Sequence, residues 1–96
     1  MKTLVVLPSY NESDNIIKII NKILFQSKDN YVVVVDDNSP DNTAEIVKNF
    51  ININEYNNRM HLIKRNNKLG RGSAVLEGFK WGYINYKNID IFIEID

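Results

Sequence analysis

The sequence predicts an α/β fold built on a parallel sheet, because short apolar strands alternate with helices along the whole chain. The clearest strand contains four consecutive valines, Val32 to Val35. Strands of a parallel sheet are buried on both faces, so they are continuous apolar runs rather than alternating ones. A strand, a helix and a second strand in this order form the right-handed crossover that connects parallel strands.

Four strands and three helices are predicted in the order β-α-β-α-β-α-β. The strands are expected at residues 3–7, 31–35, 60–63 and 89–95. Isoleucines at helical spacing mark the first helix, at positions 16, 19, 20 and 23. The second helix begins near Asn42, which forms a possible capping box with Glu45. The third covers residues 73–86, with Val75, Phe79 and Gly82 on one face.

The composition limits the possible functions. A length of 96 residues with 44% hydrophobic content predicts a single unit, residues 1–96. The 12 basic and 12 acidic residues give no net charge, so no nucleic-acid partner is predicted. Cysteine is absent, so a metal would need oxygen ligands. The apolar runs are too short to cross a bilayer, and we expect a cytoplasmic protein.

Polar and charged residues follow each predicted strand, where ligands of open parallel sheets bind. They are Pro8, Tyr10, Asn11 and Glu12 after the first strand, Asp36 and Asp37 after the second, Arg65, Lys68 and Arg71 after the third, and Asp96 after the fourth. One edge of the sheet is therefore expected to combine carboxylates, an aromatic ring and a basic cluster.

A turn before a helix needs one capping residue, and Ser39, Asp41 and Asn42 already supply candidates for it. Asp36 and Asp37 are therefore not needed for capping. An ionised carboxylate only accepts hydrogen bonds, so it selects bases whose ring presents an N–H on the Watson–Crick edge. Uracil and guanine have one, whereas adenine and cytosine present a ring acceptor. Asp37 is therefore predicted to select a uridine or guanosine nucleotide, and adjacent Asp36 to point elsewhere.

The loop KRNNKLGRGSA, residues 64–74, carries cations and glycines just before a helix, which suits a phosphate group. A solvated surface loop is the alternative interpretation. Asp96 is a candidate ligand for Mg²⁺ or Mn²⁺ beside a diphosphate. The first turn, LPSYNESDN, lacks both the G-x-G-x-x-G and the G-K-[ST] patterns, so neither a dinucleotide-binding turn nor a P-loop is predicted.

Four motifs resemble, in order and spacing, the N-terminal half of the GT-A catalytic domain of family 2 glycosyltransferases. They are LVVLPSYNES, VVVVDDNSPDNTAEIV, NNKLGRGSAVLEGFKWG and FIEID. Within the family they are most similar to the polyprenol-phosphate (dolichyl-phosphate) mannose synthase branch. The resemblance implies a Rossmann-like sheet with a nucleotide-sugar pocket. The residues implied to line it are Pro8, Tyr10, Glu12, Val35 and Asp37, and Arg71 of the basic loop is added to the predicted site. It also makes Asp96 the first acid of the metal-binding D-x-D.

The implied reaction transfers a sugar, first of all mannose from GDP-mannose, to a polyprenyl or dolichyl phosphate with inversion. Two alternatives stay open: a UDP-sugar-dependent enzyme with another acceptor, and a noncatalytic nucleotide-binding or interaction module. No catalytic residue is assigned, and the oligomeric state is left open. The second D-x-D acid, the acceptor region and any anchor to the cytoplasmic face of a membrane are expected beyond residue 96. These residues alone are therefore expected to be inactive.

Overall fold

The computed structural model describes residues 1–95 and confirms the α/β fold with its predicted order of elements. The strands are β1 (Thr3–Ser9), β2 (Asn30–Asp36), β3 (Met60–Lys64) and β4 (Ile91–Glu94). The helices are α1 (Ile16–Gln26), α2 (Thr43–Asn54) and α3 (Arg71–Asn85). Asp96 lies outside the described residues.

The four strands form one parallel sheet in the order β3-β2-β1-β4. The two inner strands pair over their whole lengths, from Thr3 beside Asn30 to Ser9 beside Asp36. Because β1 and β2 have neighbours on both sides and helices on both faces, their apolar runs are buried throughout. The four valines of β2 are all 0% exposed, as a central parallel strand requires.

Helices cover the two faces of the sheet unequally. Helices α1 and α2 pack on one face, over a cluster that includes Val5, Leu7, Val32 and Val34. Helix α3 packs on the other face, over Leu4, Val6, Val33 and Val35. Alternate residues of each inner strand thus belong to opposite cores. Because the strands are parallel, the loops that follow β1, β2 and β3 all lie at the same edge of the sheet.

Two details differ from the sequence-based expectation. Asn42 has a positive φ of 67° and makes no side-chain cap to α2, so the predicted capping box is wrong. Asp41 takes that role, since its Oδ1 accepts the Thr43 backbone N–H at 3.1 Å. Strand β4 is shorter than predicted, because the backbone N–H groups of Asp90 and Ile91 both donate to the Lys2 carbonyl and β4 starts only there.

His61 of β3 has a structural environment. Its ring stacks on Trp81 of α3, with the centroids 3.7 Å apart and the planes 3° from parallel. Burial lowers the pKa of His61 below its ordinary value of 6.5. The stacked imidazole is therefore neutral at neutral pH.

His61 should make the protein less stable in mild acid. Because the pKa of His61 is lower in the folded protein, the contribution of His61 to the free energy of unfolding is complete above about pH 6.5. That contribution is lost as the pH falls towards the folded-state pKa. Urea unfolding between roughly pH 7.5 and 5 measures this loss, and His61→Phe keeps a stacking ring without a titrating group. An equal loss in the variant would contradict the assignment. The lowered pKa values of Asp37 and Asp41 act only below 3.8, outside this window.

Candidate functional site

A cavity of about 340 Å³, the strand-end cavity, lies at the carboxyl ends of β1 and β2. The loop after β3 and the first residue of α3 complete its wall. It is lined by Pro8, Ser9, Tyr10, Glu12, Asp37, Lys68, Gly70 and Arg71. The fold therefore brings together five of the six residues predicted to bind a nucleotide sugar, although their separation in sequence reaches from position 8 to position 71.

Val35 is the exception and requires a correction. It is 0% exposed and belongs to the core beneath α3, where it packs with Val6 and Val33. The family resemblance implied that Val35 lines the pocket, but α3 covers that face of β2. Val35 supports the cavity from below and does not line it.

Asp37 is held by the protein on both of its carboxylate oxygens. Its Oδ1 accepts the Arg65 Nε–H at 2.5 Å. Its Oδ2 accepts two backbone N–H groups, from Leu69 at 3.2 Å and from Gly70 at 3.1 Å. The side chain is only 7% exposed, so Asp37 fixes the loop after β3 against the end of β2.

The same contacts determine the charge of Asp37. Burial alone would raise its pKa, but the hydrogen bond and charge of Arg65, with the N–H groups of Gly70 and Leu69, outweigh burial and lower the pKa below 3.8. Asp37 is therefore an anion at neutral pH. An anion accepts hydrogen bonds and cannot donate them, as the base-selection hypothesis requires.

The position of Arg65 after β3 suggested that it belongs to an open cationic cluster with Lys68 and Arg71, but the structure buries it. Its side chain is 5% exposed, and Nη1 donates to Ser73 Oγ at 2.7 Å while Nη2 donates to the Gly70 carbonyl at 3.0 Å. With the Asp37 contact, the guanidinium joins β2, the loop after β3 and the first turn of α3. Lys68 and Arg71 are the cations that line the cavity.

Asp36 is fully buried and stabilises the loop after β1, which forms the opposite wall. Its carboxylate accepts the Ser39 backbone N–H at 3.0 Å and the Ser39 hydroxyl at 2.6 Å. The Ser39 Oγ in turn accepts the Asn11 backbone N–H at 2.9 Å. Asp36 therefore orders the loop after β1, which carries Tyr10 and Glu12, without lining the cavity.

Replacing Asp36 by alanine should lower the free energy of unfolding by about 1.5–3 kcal/mol, the scale of hydrogen bonds to a charged group. The ratio of GDP to ADP affinity should stay within about twofold, because Asp36 does not line the cavity. Chemical unfolding and titration calorimetry measure the two quantities, with Ser39→Ala as the matched variant. Loss of base selectivity in Asp36→Ala but not in Asp37→Ala would reverse the roles of the two carboxylates.

Tyr10 and Ser9 add an aromatic and a polar element to the cavity. The Lys68 ammonium lies 4.2 Å from the centroid of the Tyr10 ring, which is 38% exposed. The Ser9 hydroxyl is buried and has no hydrogen-bond partner within residues 1–95. Ser9, Lys68 and Gly70 were absent from the predicted pocket, although Ser9 belongs to the PSYNE motif that suggested its neighbours and the other two to the predicted phosphate-binding loop.

Arg71 connects the cavity to β4. Its Nη2 donates to the Glu94 carboxylate at 2.8 Å, and both side chains are partly exposed. Within the described part of the chain no three His, Asp or Glu side chains gather as metal ligands. The predicted metal ligand Asp96 lies outside that part, two residues after Glu94.

A second and larger cavity, of about 520 Å³, lies at the opposite end of the strands; we call it the helix-end cavity. Its lining includes Phe25 and Lys28 at the end of α1 and Arg59 before β3. The Arg59 guanidinium donates to the carbonyl groups of Leu24, Ser27 and Asn30, so it stabilises the end of α1. No residue of the predicted nucleotide site lines this cavity.

The fold places the chain among α/β proteins with an open parallel sheet, and its strand-end cavity lies at the carboxyl ends of the strands, where such sheets bind ligands in general. Comparison with protein families matches residues 4–84 to glycosyl transferase family 2. The chain belongs to this family.

Relatives of this chain include three enzymes named for polyprenol-type acceptors. Polyprenol monophosphomannose synthase of Mycolicibacterium smegmatis is 33% identical over 99% of this chain and 34% of its own length. Undecaprenyl-phosphate mannosyltransferase of Micrococcus luteus is 29% identical over 100% of this chain and 37% of its own length. Dolichol-phosphate mannosyltransferase of Pyrococcus furiosus is 34% identical over 100% of this chain and 25% of its own length. The chain thus spans between a quarter and about a third of these proteins.

Solved structures support the fold. Mannosyltransferase PcManGT from Pyrobaculum calidifontis, in complex with GDP-Man and Mn²⁺, superposes with a TM-score of 0.68 at 21% identity, over 83% of this chain and 24% of that one. TarS of S. aureus gives a TM-score of 0.66 at 24% identity, over 98% of this chain and 16% of that one.

Among the described residues, no helix is long and apolar enough to cross a membrane.

Proposed function

We propose that this chain forms the nucleotide-sugar-binding part of a glycosyltransferase that transfers mannose from GDP-mannose to a polyprenyl or dolichyl phosphate, with inversion. The observation that carries the proposal is the convergence of Tyr10, Glu12, Asp37 and Arg71 on the strand-end cavity. The names of the relatives supply the sugar and the acceptor class.

In this proposal each side of the cavity binds a different part of the donor. The base donates an N–H to Asp37 and stacks on the exposed ring of Tyr10. The diphosphate binds near Lys68 and Arg71, whose positive charges stabilise the leaving group. Glu12 is available for polar contacts with the ribose.

The proposed acceptor is a phosphate, which is already a nucleophilic anion. It attacks the anomeric carbon of the sugar while the bond to the nucleoside diphosphate breaks, and the diphosphate leaves with the electron pair. Such a reaction needs no general base, whereas a sugar hydroxyl would. Positioning of donor and acceptor would supply much of the acceleration.

A divalent cation is part of the proposal, because carboxylate and diphosphate oxygens are the ligands that Mg²⁺ and Mn²⁺ prefer. Asp96 is the proposed protein ligand. Bound there, the cation would neutralise charge on the leaving diphosphate. The Arg71–Glu94 ion pair would hold the end of β4 beside the phosphate-binding loop.

A UDP-sugar-dependent transferase is the nearest alternative, because uracil also offers an N–H to Asp37. A noncatalytic nucleotide-binding module is the second alternative. Nucleotide preference distinguishes the UDP-sugar-dependent enzyme from the main proposal. Transfer of labelled mannose to a polyprenyl phosphate by the protein expressed from its complete gene distinguishes the noncatalytic module.

The direct experiment is calorimetric titration of the chain with GDP, UDP and ADP. We expect GDP or UDP to bind at least about tenfold more tightly than ADP, the effect of one hydrogen bond to a charged group. Equal affinities for GDP and ADP would remove the basis for assigning base selection to Asp37.

The polypeptide of residues 1–96 should bind nucleoside diphosphates with almost no metal dependence and show no transferase activity. It contains Asp96 but no second D-x-D acid, and Mg²⁺ needs near-octahedral oxygen ligands. Titration with and without Mn²⁺ and a radiolabelled transfer assay are the measurements. An affinity gain above about tenfold with metal, or clear turnover, would contradict this expectation.

A further inference from the structure

The contacts of Asp37 leave little room for a ligand. An ionised carboxylate has about four acceptor positions on its two oxygens. Oδ2 already accepts two backbone N–H groups, from Leu69 and Gly70, and Oδ1 accepts one from Arg65. Three positions are therefore occupied by the protein, and one remains on Oδ1.

We infer that Asp37 accepts a single N–H from the base, and that Arg65 is the positioning residue which keeps Oδ1 directed at it. This inference rests on the proposed nucleotide function and makes it more specific. Two N–H donors on one base edge would need an acceptor position on each oxygen, and Oδ2 has none left while the loop is in place.

The consequence is a particular pattern of base selectivity. Guanine has an N–H on N1 and an amino group on C2, hypoxanthine has only the N1–H, and uracil has only the N3–H. With a single acceptor position, the 2-amino group of guanine contributes nothing through Asp37. GDP and IDP should then bind alike, and ADP, which lacks the ring N–H, should bind more weakly.

Arg65 has the geometry of a positioning residue. Its three nitrogens contact three different elements: Nε the Asp37 carboxylate, Nη1 the Ser73 hydroxyl and Nη2 the Gly70 carbonyl. Only the planar, forked guanidinium reaches all three at once. A lysine keeps the charge but has one nitrogen, so Asp37 would no longer be fixed relative to the loop.

The test combines nucleotide analogues with a matched pair of arginine variants. Wild-type chain, Arg65→Lys and Arg59→Lys are titrated with GDP, IDP, UDP and ADP below their unfolding temperatures. Arg59 is the control because it also makes three hydrogen bonds, all to backbone carbonyl groups at the far end of the sheet. Thermal unfolding of each variant measures stability separately.

For the wild type we expect GDP and IDP affinities within about threefold of each other, and ADP weaker by at least about tenfold. Arg65→Lys should reduce the GDP-to-ADP ratio by about fivefold or more, while the ADP affinity changes by less than about twofold. Arg59→Lys should lower stability and leave that ratio unchanged. A purely structural role of Arg65 would weaken every nucleotide alike.

Two results would overturn the inference while leaving the proposed function intact. The first is IDP binding about tenfold or more weakly than GDP, which requires a second acceptor for the guanine edge. The second is an unchanged GDP-to-ADP ratio in a folded Arg65→Lys variant. Equal binding of all four nucleotides would remove base selection by Asp37 and this inference with it, whereas binding of none would contradict the proposed nucleotide function itself.

Discussion

Replacing Asp37 by alanine is expected to lower the free energy of unfolding by about 3–5 kcal/mol, the cost of removing one partner of a buried ion pair. Arg65, whose side chain is 5% exposed, would lose its main counter-charge, and among the described residues the more distant Glu77, 3.5 Å from Nη1, would remain. The Leu69 and Gly70 N–H groups would lose their acceptor as well. Chemical denaturation measures this loss.

Asp90→Ala is the control for this substitution, because Asp90 is an exposed acid whose one side-chain hydrogen bond within residues 1–95 comes from the Lys2 backbone N–H. We expect it to cost no more than about 1 kcal/mol. Where Asp37→Ala still folds, it should also weaken GDP or UDP binding by about 1.5–3 kcal/mol. A stability loss equal to that of Asp90→Ala would mean that the ion pair with Arg65 is unimportant.

Replacing Gly78 by alanine is expected to destabilise the protein by about 1–3 kcal/mol, although alanine is the better helix former. A Cβ at this position would lie 2.6 Å from Val6 Cγ1 and 3.2 Å from Val35 Cγ2. Both valines are fully buried in the sheet and have stiff β-branched side chains, so neither can move aside. Gly78 thus allows α3 to approach the two inner strands closely.

Gly72→Ala is the matched control on the same helix, because a Cβ there would meet no atom within 4 Å. It should raise the free energy of unfolding by up to about 1 kcal/mol, through helix propensity alone. Thermal or urea unfolding of both variants compares them directly. Equal stabilisation by the two substitutions would show that α3 does not pack as closely as the structure indicates.

The sequence was sufficient for the fold because the strongest signals were local. Four consecutive valines and isoleucines at helical spacing identify their elements without knowledge of the rest of the chain. Strict alternation of strand and helix then leaves few topologies, all with the strand ends at one edge. That rule placed Tyr10, Glu12, Asp37 and Arg71 together before any contact was known.

The errors concern residues whose environment depends on long-range contacts. Arg65 and Arg71 look alike in sequence, yet Arg65 is buried against Asp37 and Arg71 lines the cavity. Val35 lies within β2, the strand that Asp37 follows, and α3 covers it. Asp41 rather than Asn42 caps α2, because Asp41 is also bound by the Ser13 backbone N–H of a distant loop. Local patterns carry no information on such partners.

The strand-end cavity, and not the larger helix-end cavity, is the proposed binding site for a nucleoside diphosphate. Titration of isotope-labelled chain with GDP, followed through backbone amide NMR signals, tests it most directly. We expect the largest shifts at Tyr10, Glu12 and Gly70, around the strand-end cavity. Shifts concentrated at Phe25 and Arg59, which line the helix-end cavity, would contradict it.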